Sequence, residues 1–245
     1  MLECSTKKKR RKRVESLSKE LEVAYGMEMK RIKANEKRYE IAKRALSWVY
    51  FAKRPLSMRE LREALAVIPI EDIEKADEDC RYLDRDDFEK PQNVLDSCGS
   101  LIMWDRSTDV VGFSHYTVSE YLAANADGNI EPELYVARVC LTYLCFDVFD
   151  GEFMTLVRTH KLLPYIARFC GKHISGSNEE TLEDLVLSVA FSPSRRQALI
   201  ELDHYCNRSR SIFHPGWEPL HFLVAWDLAL IIGRILSTLR LSSTY

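Results

Sequence analysis

The sequence predicts a mainly α-helical protein. Glycine is scarce, at 9 of 245 residues, and residues that favour helices dominate the chain. Between about residues 39 and 125 the pattern predicts three helices followed by one β-hairpin, and beyond residue 130 apolar residues recur at helical spacing. Hydrophobic residues make up 46% of the chain and charged residues 29%, which is typical of a soluble protein with a packed core.

The first predicted helices lie before Pro55. Residues 14–38 carry a weak helical pattern, and a stronger helix follows from about Tyr39. The apolar face of this second helix consists of Ile41, Ala45, Trp48, Val49 and Ala52. We expect it to end at Pro55, because the residue before a proline disfavours the helical conformation.

The next helix, which follows Pro55, is predicted to begin after Ser57. Ser57 and Glu60 have the spacing of a capping box, in which the serine oxygen accepts from the new helix and the glutamate reaches back. Leu61, Ala64, Leu65 and Ile68 would form its buried side. Segment 71–89 holds ten Asp or Glu and three Lys or Arg, and is predicted to be an exposed acidic loop.

A short helix and a hairpin complete this pattern. Val94, Leu95 and Cys98 define the helix, and Gly99 suits its C-terminal cap. Two apolar runs, 101–104 and 110–113, flank a polar turn and indicate a β-hairpin. Thr117 and Glu120 have the spacing of a further capping box. Three helices followed by a hairpin are the plan of a winged helix, for which the predicted core residues are Trp48, Leu61, Leu65, Leu101 and Phe113.

The second half of the chain is predicted to be a series of helices joined by short turns. A linker at Asp127-Gly128-Asn129 separates it from the hairpin region. The predicted helices run from Leu134 to Val148, Leu163 to Ile174, Leu182 to Phe191 and Arg195 to Cys206. The predicted domains are therefore a basic N-terminal segment (1–37), a winged helix (38–125), a helical linker region (130–212) and a terminal unit (213–245).

Positive charge is concentrated at the start of the chain. Residues 1–38 hold 13 Lys or Arg and 6 Asp or Glu, whereas the remaining residues hold 22 and 31. The run from Lys7 to Arg13 fits a nuclear-import signal or a nucleic-acid-binding tail, and equally a solvated, disordered start. The seven cysteines show no regular spacing and no signal peptide is recognisable, so we expect reduced thiols and a cytoplasmic location, with a nuclear one open through the basic run.

The sequence does not indicate an enzyme. No nucleophile elbow, metal-ligand spacing or paired-acid motif occurs. His160, His173 and His204 fall in different predicted helices or turns, and Asp147 with Asp150 fits a solvated helix end. We therefore expect no catalytic residue, no metal and no cofactor. The apolar stretch 220–236 contains Asp227 and Arg234 and is too short to span a bilayer, so no membrane partner is expected.

DNA binding through the winged helix is the alternative function, with the basic N-terminal run as an arm. The third helix of such a domain would enter the major groove, and here it lies in a segment dominated by acidic residues between Asp84 and Asp96. Basic contacts to phosphates supply most nucleic-acid affinity. The charge of this segment therefore disfavours nucleic acid as a partner.

Several segments together resemble the winged-helix region of fungal NACHT proteins, which are signal-transducing NTPases similar to animal and plant immune receptors. The matching segments are Ala42 to Trp48, Ala52 to Leu56, Glu60-Leu61, Ala64 to Val67, Leu95 to Leu101, Ser114 to Thr117 and Glu120-Tyr121. Ala137 to Leu144 and Tyr165 to Arg168 continue the match, and Tyr25 with Arg31-Ile32 resembles the last helix of the NTPase core. The resemblance covers roughly residues 24–175.

The resemblance implies a role for His115. In related receptors a winged-helix histidine contacts the β-phosphate of bound ADP, and His115 matches that position. An imidazole can donate a hydrogen bond to a phosphate oxygen. The alternative is a histidine at the edge of the core that a backbone partner satisfies. The chain departs from the family in one respect: the phosphate-binding pattern G-x-x-x-x-G-K-[ST] does not occur, so His115 is expected to contact nucleotide only in trans, beside a NACHT domain.

The end of the chain resembles an ankyrin repeat. Pro219-Leu220-His221-x-x-Val224-Ala225-Trp226 is similar to the opening of such a repeat, and Ile231 to Leu236 would form its second helix. One unit cannot bury its own apolar face, so repeats stack. The alternative is a C-terminal amphipathic hairpin. The resemblance implies a regulatory and scaffold part of a NACHT–ankyrin signalling receptor, with a NACHT domain and other proteins as partners.

Overall fold

The computed structural model describes residues 7–71, 83–146, 158–207 and 211–242, with side chains from 20 to 206 and from 211 to 238 within these ranges. Most of the predicted acidic loop, Asp147, Val148 and Asp150 therefore lie outside the described residues. The chain divides into two compact units, one comprising Met1–Met58 with Lys90–Glu131 and the other Arg59–Glu89 with Pro132–Tyr245. The domain boundaries given above remain predictions.

The first unit contains the elements of a winged helix. These are α1 (Lys7–Lys33), α2 (Glu36–Phe51), β1 (Leu56–Ser57), α4 (Pro91–Cys98), β2 (Ile102–Asp105), β3 (Val110–Phe113) and α5 (Tyr116–Ala124), while α3 (Met58–Ala66) lies almost entirely in the second unit. A 3₁₀ turn (Gly99–Leu101) follows α4. The order α2, β1, α3, α4, β2, β3 is the winged-helix order, so the predicted fold class is confirmed.

The core of the first unit forms between α2 and α4. Asn35 begins α2 as its N-cap, and its side-chain oxygen accepts from the N–H of Arg38 at 3.0 Å. Of the predicted apolar face, Ile41, Ala45 and Trp48 are buried, whereas Val49 and Ala52 are only half-buried. Trp48 is fully enclosed in the core that α2 forms with α4. Because the polar first turn carries no apolar periodicity, the sequence pattern placed the start of α2 three residues late.

Strand β1 was not predicted, because two residues are too few to show an alternating pattern. Leu56 and Ser57 pair antiparallel with Val111 and Val110, and β3 lies between β1 and β2. The sequence analysis placed Ser57 only at the start of a helix. In the structure Ser57 ends a strand and α3 begins at the next residue.

The hairpin between β2 and β3 is closed by a hydrogen-bonded polar turn. Asp105 accepts from the N–H and hydroxyl of Ser107, at 2.9 and 2.6 Å, and from the hydroxyl of Thr108. These hydrogen bonds lower the pKa of Asp105 to about 2. Asp109 adopts a positive φ of 57°, and its side chain accepts from the indole N–H of Trp104 at 2.9 Å. The predicted hairpin is thus confirmed.

Four of the five predicted core residues are buried, and Phe113 is not. Trp48, Leu61, Leu65 and Leu101 are at most 4% exposed, whereas Phe113 is only half-buried. The reason is the length of β1, which pairs only with Val110 and Val111. At Phe113 strand β3 pairs with β2 alone among the described residues, so no second described strand covers that end of the sheet.

Beyond Pro132 the described part of the second unit includes a further series of helices. They are α6 (Glu133–Leu144), α7 (Leu163–Ile174), α8 (Glu179–Ala190), α9 (Pro193–Asn207), α10 (Pro219–Ala225) and α11 (Ala229–Ser242). The predicted bounds of α7 are correct at both ends. Helices α8 and α9 begin three and two residues earlier than predicted, because their first turns are polar.

Helix α8 lies at the centre of this helical region. It packs against α6, α9, α10 and α11. Its first residue, Glu179, is buried, and its carboxylate accepts from the N–H groups of Gly176, Leu230 and Ile231 at 2.8 to 3.2 Å. Glu179 therefore satisfies N–H groups at the start of α11 that have no partner within the helix.

The last two helices form a hairpin with one buried and one open face. Phe222, Leu223, Leu228 and Ile231 are buried, and Trp226 lies against Gly171 of α7. Among the described side chains of the hairpin, Leu220, Val224, Leu230 and Leu236 are apolar and exposed. Within the described ranges no helix is both long and apolar enough to cross a membrane.

The contact between Gly171 and Trp226 yields a stability prediction. A Cβ atom at Gly171 would lie 2.7 Å from the buried Trp226 ring, so Gly171→Ala forces the hairpin away from α7. We expect a loss of about 1–3 kcal/mol, seen as a lower melting temperature by circular dichroism. Gly233→Ala is the matched control, because its Cβ would meet nothing within 4 Å and a helical alanine should raise stability slightly. Equal melting temperatures for the two variants would contradict this packing.

Candidate functional site

His115 lies at the junction between β3 and α5. It is the N-cap of α5, with extended backbone angles (φ −151°, ψ 150°), and its Nδ1 atom accepts from the N–H of Thr117 at 3.3 Å. The predicted capping box beginning at Thr117 is wrong by two residues, because α5 already begins at Tyr116. A histidine nitrogen here takes the part that Ser, Thr, Asp or Asn usually plays, which is why the sequence pattern missed it.

A chain of hydrogen bonds connects His115 to α1. The hydroxyl oxygen of Thr117 lies 2.8 Å from Nδ1 of His115 and 2.8 Å from the hydroxyl of Tyr25. Tyr25 lies on α1, which packs against α5 in the same unit. The sequence analysis singled out His115 and Tyr25 through separate segments, and the structure brings them together through Thr117.

The outer side of the imidazole is open. The side chain of His115 is exposed, and among the described residues its Nε2 atom has no hydrogen-bond partner. Because the N–H of Thr117 points at Nδ1, that nitrogen presents a lone pair and the proton of the neutral ring lies on Nε2. The geometry therefore offers one outward N–H donor, which suits an anionic oxygen.

A small cleft adjoins this group between α1 and α5. Its volume is about 180 Å³, and it is lined by Leu21, Glu22, Tyr25, Thr117, Glu120, Tyr121, Ala124 and Asn125. The rings of Tyr25 and Tyr121 are 5.6 Å apart. Burial and the nearby Glu22 carboxylate raise the pKa of Tyr121. Two carboxylates and no basic side chain line the cleft, so it does not itself suit a phosphate.

A second polar cluster is buried in the other unit, around Glu63 of α3. Its carboxylate accepts from the N–H groups of Lys161 and Leu162, both at 2.8 Å, and from the hydroxyl of Tyr143 at 3.0 Å. The same hydroxyl lies 2.8 Å from Nδ1 of His160. Glu63 thus satisfies backbone donors just before α7 begins, from a position 99 residues earlier in the chain.

Burial controls the titration of this cluster. Desolvation raises the pKa of Glu63 despite its three hydrogen bonds, and burial together with the Glu63 charge raises the pKa of Tyr143. Burial and the nearby Arg85 charge lower the pKa of His160 to about 4. His160 is therefore neutral near pH 7, and Glu63 and Tyr143 are fully enclosed. The hydrogen bonds of Glu63 connect α3 to the start of α7.

The other histidines selected from the sequence belong to the second unit. His173 is buried, and its ring nitrogens lie 2.8 Å from a carboxylate oxygen of Glu133 and 2.7 Å from the hydroxyl of Tyr165. Burial raises the pKa of the Cys98, Cys145 and Cys170 thiols, which disfavours reactive thiolates. Among the described residues no three His, Cys, Asp or Glu side chains form a possible metal site.

The third winged-helix helix, α4, has a surface that is poor in positive charge. Pro91–Cys98 contains no Lys or Arg, and Gln92 donates to Asp96 at 2.8 Å. The adjoining groove is lined by Glu28, Arg31, Arg38, Gln92, Leu95, Asp96, Gly99 and Ser100, so acidic and basic residues balance there. This helix presents no cluster of phosphate-binding side chains.

The fold and the position of His115 define a winged-helix region followed by a helical extension. Residues 29–134 match the family described as "GPI inositol-deacylase, winged helix domain". The match covers less than half of the chain, and it includes α2, α4, α5, the hairpin and His115. No curated protein and no solved structure was found to match the chain.

The Glu63 cluster yields a second prediction. Glu63→Ala removes the carboxylate that accepts from the N–H groups of Lys161 and Leu162 and from the hydroxyl of Tyr143. We expect a loss of stability of about 3 kcal/mol, measured by thermal or urea denaturation. Asp184→Asn, on an exposed face of α8, is the control and should change stability little. A Glu63→Ala variant as stable as the control would show that the carboxylate does not support α7.

The pH dependence of the same residue has a definite sign. A raised pKa in the folded protein means that the folded state binds the Glu63 proton more tightly than the unfolded chain, so this contribution to stability falls as pH rises above the ordinary value of 4.5. As the pH is lowered towards that value, the melting temperature of the unmodified protein should therefore rise relative to that of Glu63→Gln. A difference that moves the other way would contradict the direction of this shift.

Proposed function

We propose that this chain is a non-catalytic regulatory and scaffold part of a NACHT–ankyrin type signalling receptor. It acts through contacts with a NACHT NTPase domain, supplied by a longer product or by another chain, and with other proteins through its helical surface. The observation that carries the proposal is His115: a winged-helix histidine, fixed as an N-cap, with its Nε2–H facing outward. The family match over 29–134 supports the winged-helix part only.

In this proposal His115 donates to a phosphate oxygen of ADP held by the NACHT domain. The chain itself lacks the G-x-x-x-x-G-K-[ST] pattern, and the cleft beside Thr117 is acidic, so the phosphate-binding groups belong to the partner. A contact that forms only when the two domains are closed stabilises the closed state by its own free energy. The winged helix thus stabilises the closed state, and the imidazole of His115 makes the contact on which this depends.

The hairpin formed by α10 and α11 provides the scaffold contact. Leu220, Val224, Leu230 and Leu236 form an exposed apolar face that the chain leaves uncovered among the described residues. Stacked helical repeats bury such a face against the next repeat. We assign it to ankyrin-like repeats of the same receptor type, in agreement with the resemblance of residues 219–236.

DNA binding remains the alternative. Only the basic run in α1 favours it, because α4 carries Asp96 and no basic residue. A DNA-binding measurement on the purified chain therefore distinguishes the two functions. Binding to duplex DNA that weakens steeply with salt would favour the alternative, since counterion release gives phosphate-dominated binding its salt slope.

The nucleotide contact is tested by ADP retention. The purified chain is combined with the NACHT domain of a fungal NACHT–ankyrin protein, and ADP dissociation is followed by fluorescence of a labelled nucleotide. We expect His115→Ala to accelerate ADP loss roughly tenfold or more, because a hydrogen bond to a charged group contributes about 1.5–3 kcal/mol. His214→Ala, which removes another exposed histidine, is the control and should have no effect. Equal dissociation rates for the two variants would contradict the role of His115.

The exposed hairpin face yields a further prediction. Because Val224 and Leu230 are 65% and 54% exposed, a double change to lysine should not disturb the core, while it removes the apolar surface. We expect the unmodified chain to associate at micromolar concentration and the double variant to be monomeric, as measured by light scattering after size-exclusion chromatography. Lysines at Met27 and Met103, exposed residues of the other unit, are the control. Unchanged association in the Val224/Leu230 variant would exclude this face as the contact surface.

A further inference from the structure

We infer that Thr117 and Tyr25 are positioning residues whose hydroxyl groups stabilise the Nε2–H tautomer of His115, in addition to the backbone N–H of Thr117, and connect this tautomer to the position of α1. The biological role of this arrangement rests on the proposed function, since it would regulate the His115 donor. The arrangement itself is inferred from the hydrogen-bond geometry alone. Its test therefore uses this chain without nucleotide or partner.

The direction of each hydrogen bond follows from the backbone. The N–H of Thr117 points at Nδ1 of His115, so Nδ1 must be an acceptor. The hydroxyl of Thr117, 2.8 Å from the same nitrogen, must then donate a hydrogen bond to Nδ1. With its proton used, the Thr117 oxygen accepts from the hydroxyl of Tyr25 at 2.8 Å. The order is Tyr25 to Thr117 to His115, and it leaves Nε2–H as the outward donor.

Tyr25 ties this order to α1. The hydroxyl groups of Tyr25 and Thr117 face the same cleft, and the rings of Tyr25 and Tyr121 pack together between α1 and α5. A displacement of α1 along α5 would separate the Tyr25 hydroxyl from Thr117. The Thr117 hydroxyl would then be free to rotate towards another acceptor, and Nδ1 would lose its hydroxyl donor.

The functional consequence is a change in what the imidazole offers. When Nδ1 accepts, the ring donates from Nε2, which suits an anionic oxygen. When Nδ1 carries the proton, Nε2 becomes an acceptor and repels that oxygen. The contact made by His115 is thereby coupled to the helix that precedes the winged helix in the chain.

The test is the tautomer of His115 measured by nitrogen-15 NMR. Two-bond proton–nitrogen correlations on the labelled chain distinguish Nδ1–H from Nε2–H, and His115→Gln assigns the signals. The measurement is made at about pH 8. Far-UV circular dichroism of each variant shows whether the fold is retained.

We expect the unmodified protein to show the Nε2–H tautomer. Thr117→Val should raise the Nδ1–H to Nε2–H ratio by about twofold to tenfold, the change in an equilibrium that one net hydrogen bond produces. Thr117→Ser keeps the hydroxyl and should restore the original ratio. Tyr25→Phe should shift the ratio in the same direction by a smaller factor. In this variant Thr117 no longer accepts a hydrogen bond from Tyr25, but its hydroxyl can still donate to Nδ1.

Two results would overturn the inference. A tautomer ratio in Thr117→Val equal to that of the unmodified protein would show that the Thr117 hydroxyl does not contribute to the proton position. A shift in Thr117→Val with none in Tyr25→Phe would remove the connection to α1. Because neither measurement contains nucleotide, both are independent of the ADP-retention result, and a failure of the proposed function leaves them unaffected.

Discussion

Buried carboxylates that accept backbone N–H groups over long sequence distances are the interaction on which the helical region depends. Glu63 holds the N–H groups of Lys161 and Leu162, and Glu179 holds those at the start of α11. Buried Asp203 likewise accepts from Ile212 and Phe213 and so fixes the segment before α10. An unsatisfied buried donor costs about 1–3 kcal/mol. Glu63 and Glu179 therefore stabilise the start of a neighbouring helix, and Asp203 stabilises a segment between helices.

The same principle operates at the candidate site with a different chemical group. At α5 the capping acceptor is the imidazole of His115 rather than a carboxylate, and the cap is local instead of distant. A carboxylate at this position would also satisfy the N–H of Thr117, but it would repel an anionic partner. An imidazole satisfies the helix with one nitrogen and offers a donor with the other. The outward donor is the group that the proposed phosphate contact requires.

Much of the fold could be predicted because helix faces repeat locally. The bounds of α7, the Gly99 cap of α4 and the hairpin between β2 and β3 follow from apolar spacing and turn residues within a few positions. Strand β1 and the exposure of Phe113 could not be predicted, because both depend on pairing between residues more than 50 positions apart. The Glu63 cluster was missed for the same reason: nothing near Glu63 in sequence indicates that it faces Leu162.

The candidate site was predicted only in part. His115 was identified through resemblance, and the sequence assigned its neighbour Thr117 a capping role that the structure gives to the histidine. The bond from Tyr25 joins residues 92 positions apart, which no local pattern reveals. The regulatory role of the site is therefore a proposal that combines a resemblance with a geometry.

The most direct test is the affinity of this chain for an isolated NACHT domain, measured by calorimetry in the presence of ADP and of a non-hydrolysable ATP analogue. If the winged helix locks the ADP-bound state, linkage requires tighter binding with ADP than with the analogue. We expect a difference of about fivefold or more, the lower end of typical coupling between sites. Equal affinities, or no binding in either case, would contradict the account.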